Sequence, residues 1–267
     1  MAVNVNDLTV TSIDTLSCFD ITGKSLLAYL DELQNVTISH TEEKEDITGK
    51  NGRKLSSLKR NKGVTISGTN GMLSAGLLAI QVGSEFEAKE STPVKWDETV
   101  TVNSGTATLT YKAVGAQGSE IMGVLVRNLD GTIASAMEQA AQAAAGKFAY
   151  DPQSKAITFN TNDVPDGTEV VVFYMRNIKG SVLVNSSEVF SMKCQVYSDF
   201  EAEDKCGNVF HGQFFFPKAD FSGEFDIEVG DSQAVHNFEA EALAGACGKG
   251  GTLWTYTIFN GDGEDAA

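Results

Sequence analysis

The sequence predicts a mainly β protein: a β-sandwich with one flanking α-helix and an inserted immunoglobulin-like β module. Short runs of β-branched and aromatic residues recur along the chain, and Gly, Asn or Asp bounds most of them. One stretch, residues 70–83, instead carries apolar residues at helical spacing. The length of 267 residues suits one large domain or two smaller ones.

The strands are predicted from composition and from the turns between them. The dipeptides Asn51-Gly52 and Asp166-Gly167 are typical of tight turns, because Asn, Asp and Gly tolerate left-handed backbone angles. The predicted strands are residues 35–40, 63–68, 106–111, 121–128, 155–160 and 169–177.

The stretch 70–83 predicts the flanking helix. Thr69 or Asn70 is suited to cap its start, and Gly83 is suited to end it. The apolar residues of one face recur at i, i+4 and i+7, and they are Leu73, Leu77 and Ile80. An apolar helix among strands is expected to pack across an open face of a sheet.

A second stretch, residues 133–146, is rich in alanine and has high helix propensity. It has little apolar face, so the sequence leaves open a helix, a long loop or the tip of a hairpin.

The middle of the chain predicts a β unit of its own. Residues 94–178 begin after a proline, end near Lys179-Gly180, and have predicted strands on both sides. We therefore expect residues 94–178 to form an inserted sandwich-like module. Residues 1–93 and 179–267 would together form the other, discontinuous domain.

The segment "HGQFFFPKADFSGEFDIEVGD", residues 211–231, combines a histidine, a phenylalanine block and five carboxylates. Strand alternation would place Glu224, Asp226 and Glu228 on one face, about 7 Å apart. A carboxylate pair for glycan hydrolysis could have such a separation. No other feature predicts a desolvated pocket, so the solvated face of a sheet is the preferred interpretation and no catalytic residue is expected.

The sequence predicts no metal site and no cofactor. His40, His211 and His236 are isolated, and no H-E-x-x-H or G-x-S-x-G motif occurs. The stretch "GACGKGG" lacks residues of a phosphate-binding loop and precedes a predicted strand. The four cysteines form no C-x-x-C, and we expect small buried side chains without disulfides.

Charge limits the partners of the chain. The formal net charge is −16 and the isoelectric point is near 4.5, so the chain repels nucleic acid and anionic membranes. No run of eighteen apolar residues and no secretory leader is visible, which indicates synthesis in a cytoplasm.

The charges are also divided along the chain. Residues 199–241 hold eleven acids against two lysines. The segment between Ile47 and Thr65 has no acid and six basic residues, which are Lys50, Arg53, Lys54, Lys59, Arg60 and Lys62. The two regions could bind each other between copies, head to tail, in rings or helical stacks. Pairing within one subunit, two unrelated solvated faces and a nucleic-acid patch remain alternatives.

The chain resembles structural proteins of tailed bacteriophages over most of its length. The similar stretches are "TGKNGRKLSSLKRNKGVTISGTNGMLSAGLLAIQVGSEFE", "FAYDPQSKAITF", "HGQFFFPKADFSGEFDIEVGDSQAVHNFEAEALAG" and "LWTYTIF". The resemblance implies a tail-tube-like β-sandwich whose copies form rings of six that stack into a hollow tube. Its helix would be Gly71–Val82, and Thr41–Lys62 would be the long hairpin that contacts the next ring.

The resemblance also implies a role. A non-enzymatic virion protein would assemble in the host cytoplasm with itself and other tail proteins, and DNA would pass through without specific binding. Glu224, Asp226 and Glu228 would then be candidates for an acidic lumen or interface. Because the middle module departs from a minimal tube protein, a head decoration, neck or host-surface binding protein is the alternative.

Overall fold

The computed structural model describes residues 7–127, 133–228, 235–244 and 251–259. The chain divides into two compact units, which we call unit 1 (Met1–Phe86 with Leu183–Ala267) and unit 2 (Glu87–Val182). Both units are built from strands, and the described residues contain a single α-helix, so the predicted mainly β, sandwich-like fold is confirmed. No helix in these described ranges is long and apolar enough to cross a membrane.

Unit 1 holds one nine-stranded antiparallel sheet with the order β2-β1-β12-β13-β15-β4-β3; β14 pairs with β15, and β16 pairs with β13. Its strands are β1 (Thr9–Asp20), β2 (Leu26–Leu30), β3 (Leu33–Thr48), β4 (Lys54–Asn70), β12 (Lys193–Glu203), β13 (Val209–Phe221), β14 (Ile227–Glu228), β15 (Val235–Ala242) and β16 (Thr255–Phe259).

The sheet of unit 1 curves so that its two ends share one core. Leu16 of β1 and Ile66 of β4 belong to the same buried cluster, although several strands separate them in the sheet. Alternation produces this core: in β12, Cys194 and Val196 are buried in the cluster, while Gln195 between them is partly exposed. The side chains of β12 that face away from this core are more exposed and include both acidic and aromatic residues.

The helix α1 (Ala75–Val82) packs on this core through Leu77 and Ile80. Gly83 ends it in the left-handed conformation, as predicted. The predicted start was wrong, because the cap is Ser74, whose Oγ accepts from Leu77 N at 3.3 Å. Asn70 is instead buried at the end of β4.

The predicted third member of the apolar helix face, Leu73, lies before the helix and is exposed. The helix also packs closely against the backbone of β2. A Cβ at Gly76 would lie 2.4 Å from the carbonyl oxygen of Leu27 in β2, so only glycine allows this approach.

Unit 2 holds a seven-stranded sheet with the order β5-β11-β7-β8-β9-β10-β6. Its strands are β5 (Glu87–Thr101), β6 (Thr106–Thr108), β7 (Ile121–Arg127), β8 (Ile133–Gln139), β9 (Lys147–Asp151), β10 (Ala156–Thr158) and β11 (Glu169–Val182). Unit 2 has its own core, in which Phe148, Ile157 and Tyr174 are fully buried. The pair β8–β9 is parallel.

The alanine-rich stretch 133–146 is not a helix. Its first half is β8, which pairs with β7 so that Met137 lies opposite Val124 and is buried. Burial of Met137 in this core outweighs the intrinsic preference of alanine for helix, which is weak per residue. Its second half turns back, with Lys147 N donating to Ala144 O at 2.9 Å.

The acidic stretch of residues 222–228 is also less regular than predicted. Only Ile227–Glu228 form a strand, whereas residues 222–226 are irregular. Side chains replace the expected ladder partners here: Glu224 N donates to Ser222 Oγ at 3.1 Å, and Asp226 N donates to Asn237 Oδ1 at 2.7 Å.

The thiols only partly follow the expectation of burial. Cys18 and Cys194 are free and buried in the core of unit 1, whereas Cys206 is free and exposed. Cys206 lies in a tight turn in which Asp204 Oδ1 accepts from the Cys206 and Asn208 amides, so the turn geometry fixes its exposure. Cys247 lies outside the described residues.

Candidate assembly surfaces

The distal halves of β3 and β4 form a hairpin that extends past the sheet, and we call residues 41–63 the arm. β15 pairs with β4 only between Thr65 and Asn70, whereas β3 and β4 remain paired out to Thr48 and Lys54. At about 3.4 Å per residue, the paired strands extend roughly 30–37 Å beyond Thr65, the last residue of β4 that pairs with β15. Nearly all of its residues are exposed.

A tight turn closes the arm where the sequence predicted it. Asn51 and Gly52 have φ values of 67° and 73°, and Gly49 N donates to Arg53 O at 2.7 Å. Both turn residues therefore occupy the left-handed region that Asn and Gly tolerate.

The basic residues of the arm fall into two groups. Lys54 lies 2.6 Å from Asp46, Lys59 lies 2.8 Å from Glu42, and Arg60 lies 3.3 Å from Glu45. The hydrogen bond to Lys59 lowers the pKa of Glu42. These pairs hold β4 to β3 within the subunit, so three of the six predicted contact residues already have acidic partners.

The other cations are more available. Within the described ranges, Lys50 and Arg53, which flank the turn, have no carboxylate within 4.0 Å. The charge of Lys62 contributes to lowering the pKa of Glu42, although the two residues form no ion pair within that distance. The tip of the arm thus presents unpaired positive charge on a chain of strongly negative net charge.

Apolar side chains are also exposed on the arm. Leu55 is 65% exposed, Ile47 is 43% exposed and Leu58 is 41% exposed. The register places Ile47 and Leu58 on one face, because Ile47 lies opposite Ser56 and Glu45 lies opposite Leu58. Leu55 lies over Gly49 on the hairpin near its turn. Exposed apolar side chains that are grouped on one face, as Ile47 and Leu58 are, are typical of a surface that contacts a partner.

The predicted acidic residues lie at a different part of unit 1. Glu224 and Asp226 are exposed, and they line an open polar cleft of about 760 Å³ together with Glu239 of β15. Hydroxyl and amide side chains of β3 and β4 complete its walls, including Asn35 and Ser67. The side chain of Glu228 lies outside the described residues.

Sequence analysis missed a second acidic surface, the outer face of β1, β12 and β13. Asp199 lies there with both carboxylate oxygens occupied, accepting from Thr15 Oγ1 at 3.0 Å and from Gln213 Nε2 at 2.8 Å. Glu201 and His211 lie beside it on the same face. Only the strand register reveals this group, because its members come from distant parts of the chain.

The arm and the acidic surfaces belong to a mainly β protein, and comparison with known families identifies its class. A model described as the YomU/Tube protein family matches residues 8–256. The chain belongs to this family, which indicates a phage-type tube or structural protein. No curated protein matches the chain.

Proposed function

We propose that the chain is the subunit of a phage tail tube, in which copies assemble into stacked rings, six to a ring, and enclose a passage for DNA. The observation that carries this proposal is the arm. A two-stranded hairpin alone is at best marginally stable in water, and this one exposes three large apolar side chains. An adjacent copy that covers the arm would bury them.

Charge supports contact between copies. The arm tip bears Lys50 and Arg53 without ion-pair partners in the described ranges, and the polar cleft bears Glu224 and Asp226 without a basic residue in its lining. Complementary patches on different parts of one chain produce heterologous contacts, which close into rings or continue as stacks. We therefore assign the arm tip and this cleft to opposite sides of one contact between neighbouring rings.

The negative charge suits passage of DNA. A surface rich in carboxylates repels the phosphate backbone, so that DNA would slide without binding. Asp199 and Glu201 on the outer sheet face are the candidates for such a lining, whereas Glu224 and Asp226 belong to the proposed contact between rings. No catalytic role is assigned to them, and the virion is the proposed location.

Electron microscopy of the purified protein over a range of concentrations tests assembly. Wild-type protein should form rings or tubes, and Leu55→Asp with Leu58→Asp should leave folded single subunits. Met122→Asp in unit 2 is the matched control, since Met122 is 62% exposed and lies outside the arm. Wild-type protein that stays monomeric at every concentration, or arm variants that assemble normally, would contradict the proposal.

The charge contact needs its own variants. Lys50→Glu with Arg53→Glu should prevent stacking, and adding Glu224→Lys with Asp226→Lys should restore it by exchanging the charges. Lys112→Glu in unit 2 is the control for charge reversal, because Lys112 is exposed and lies outside the arm. If the exchanged variant still forms single rings but does not stack, the cleft is not the surface that the arm tip contacts.

A head decoration, neck or host-surface binding protein is the second candidate, and unit 2 favours it. Unit 2 has a separate core and exposes Trp96 and Tyr111, whose rings enclose the guanidinium of Arg176 at 4.3 Å and 3.7 Å. Binding of the full chain to host cells, lost in Trp96→Ala without any self-assembly, would support that candidate.

A further inference from the structure

We propose that Asp14, Glu201 and His211 form a binding site for one divalent transition-metal ion of the Zn²⁺ type. The three side chains come from the neighbouring strands β1, β12 and β13 and lie on the outer face of unit 1. Each offers one ligand atom, and these atoms all lie within 4.8 Å of one another. The proposal does not depend on assembly into a tube.

The strand register brings the three residues together. Glu201 lies directly opposite His211 in the β12–β13 pair, which puts both side chains on one face. The β1–β12 register shifts between Ile13 and Thr15, so Asp14 is the extra residue of a bulge. A bulge redirects a side chain, and here it adds a third ligand beside the other two.

The separation between imidazole and carboxylate favours an ion over a direct contact. His211 Nδ1 lies 3.8 Å from Glu201 Oε1, which is too far for a hydrogen bond. Zinc binds imidazole nitrogen and carboxylate oxygen at about 2.0–2.2 Å, so two ligands of one ion lie up to about 4.2 Å apart. The observed gap falls inside this limit, and small side-chain rotations would bring in Asp14.

The neighbouring carboxylate provides a contrast. Asp199, two residues from Glu201 on the same face, has both oxygens occupied by protein donors. Within the described ranges, the carboxylate of Glu201 receives no hydrogen bond, and His211 is the one basic side chain within 4.0 Å of it. Asp14 accepts from Ser12 Oγ at 2.7 Å through Oδ1, which leaves Oδ2 available.

Surrounding side chains orient the ligands. The hydroxyl of Ser12 fixes the carboxylate of Asp14, and the ring of Phe259 on β16 stacks beside that of His211 at 6.1 Å between centroids. Such contacts hold metal ligands in position before the ion binds. A ligand set with an imidazole favours Zn²⁺, Co²⁺ or Ni²⁺ over Mg²⁺ and Ca²⁺, and three protein ligands leave a position for water.

Titration calorimetry with ZnCl₂ tests the site on full-length, tag-free protein that carries Cys206→Ser and Cys247→Ser to exclude thiol ligands. We expect one equivalent of Zn²⁺ per chain. Glu201→Gln and His211→Gln should each weaken binding at least about tenfold, because even residues that only orient ligands change affinity by about 10–100-fold. Asp199→Asn and His40→Gln are the matched controls and should bind as the parent does.

A Co²⁺ absorption spectrum supplies a second measurement, because imidazole ligation alters its visible bands and His211→Gln should remove that change. Circular dichroism of the metal-free variants checks that they fold. The proposal is overturned if the parent shows no saturable Zn²⁺ uptake, or if His211→Gln binds as tightly as the parent. Binding of Ca²⁺ or Mg²⁺ as tight as that of Zn²⁺ would also overturn it.

Discussion

Nε2 of His236 on β15 lies 2.7 Å from Oε1 of Gln81 on α1, and both side chains are buried in unit 1. The amide group of Gln81 donates in turn to the carbonyl oxygen of Asn237 at 2.9 Å. Oε1 is therefore the acceptor, and the imidazole donates through Nε2. His236 Nδ1 has no hydrogen-bond partner in the described ranges, which suits a neutral ring.

The first prediction concerns pH. Burial lowers the pKa of His236 from its usual value of 6.5, so below 6.5 the unfolded chain binds a proton that the folded chain does not. The contribution of His236 to the free energy of unfolding should therefore be fully present above pH 6.5. It should decrease on acidification, by at most about 1.4 kcal/mol per pH unit. Urea unfolding between about pH 7.5 and pH 5.5 measures this slope.

Variants isolate the contribution of His236. His236→Gln cannot titrate and should flatten the slope, whereas His40→Gln, at an exposed position of β3, should leave it unchanged. Equal slopes in His236→Gln and the wild type would assign the pH dependence to other groups.

The second prediction concerns the pair Gly212 and Phe200, which lie opposite each other on β13 and β12. A Cβ at Gly212 would lie 2.0 Å from Cζ of Phe200, whose ring also packs against Phe214 and Tyr256. Gly212→Ala should thus destabilise the protein by about 1–3 kcal/mol through overpacking.

The clash requires the ring, so the cost of Gly212→Ala should be smaller in a Phe200→Leu background. Gly123→Ala is the control, since no atom lies within 4 Å of its added Cβ, and it should change stability by less than about 0.5 kcal/mol. Chemical denaturation of the four proteins of the cycle checks this, and strict additivity would be inconsistent with the packing.

The third prediction concerns the start of α1. Ser74→Ala removes the cap on Leu77 N and should lower the free energy of unfolding by about 1 kcal/mol. Thr69→Val should cost much less, because the buried Thr69 hydroxyl has no hydrogen-bond partner in the described ranges. Thermal melts measure both variants, and a larger decrease in melting temperature for Thr69→Val than for Ser74→Ala would contradict the assignment of Ser74 as the cap.

The fourth prediction concerns thiol reactivity. Burial raises the pKa of Cys18, and it raises that of Cys194 to about 12, so neither should react with a disulfide reagent in the folded protein. Cys206 is exposed and should react fast. In a Cys206→Ser, Cys247→Ser variant, reaction should await unfolding, and rapid labelling of that variant under native conditions would contradict the buried positions.

Local patterns predicted the elements that local interactions decide. The turn of the arm follows from Asn51-Gly52, since both residues adopt the left-handed backbone conformation that this dipeptide favours. Gly83 ended the helix as expected because a left-handed terminus needs glycine or asparagine.

Features decided by tertiary contact were not predictable in this way. Asn70 was expected to cap the helix, but its amide donates to Met72 O at 2.7 Å, and the helix starts later. The acidic stretch near Asp226 does not pair as a strand, because the amide of Asp226 donates to the side chain of Asn237 instead. The group formed by Asp14, Glu201 and His211 has no sequence signature, since strand register alone places its members side by side.

The pairing of β5 with β11 has a consequence for how the gene can change. Glu87 and Val182, the first and last residues of unit 2, are partners in that pair, so the chain leaves and rejoins unit 1 at adjacent points. An insertion with neighbouring ends interrupts none of the host strands. Recombination could therefore delete this segment or exchange it for another while keeping the rest of the subunit intact.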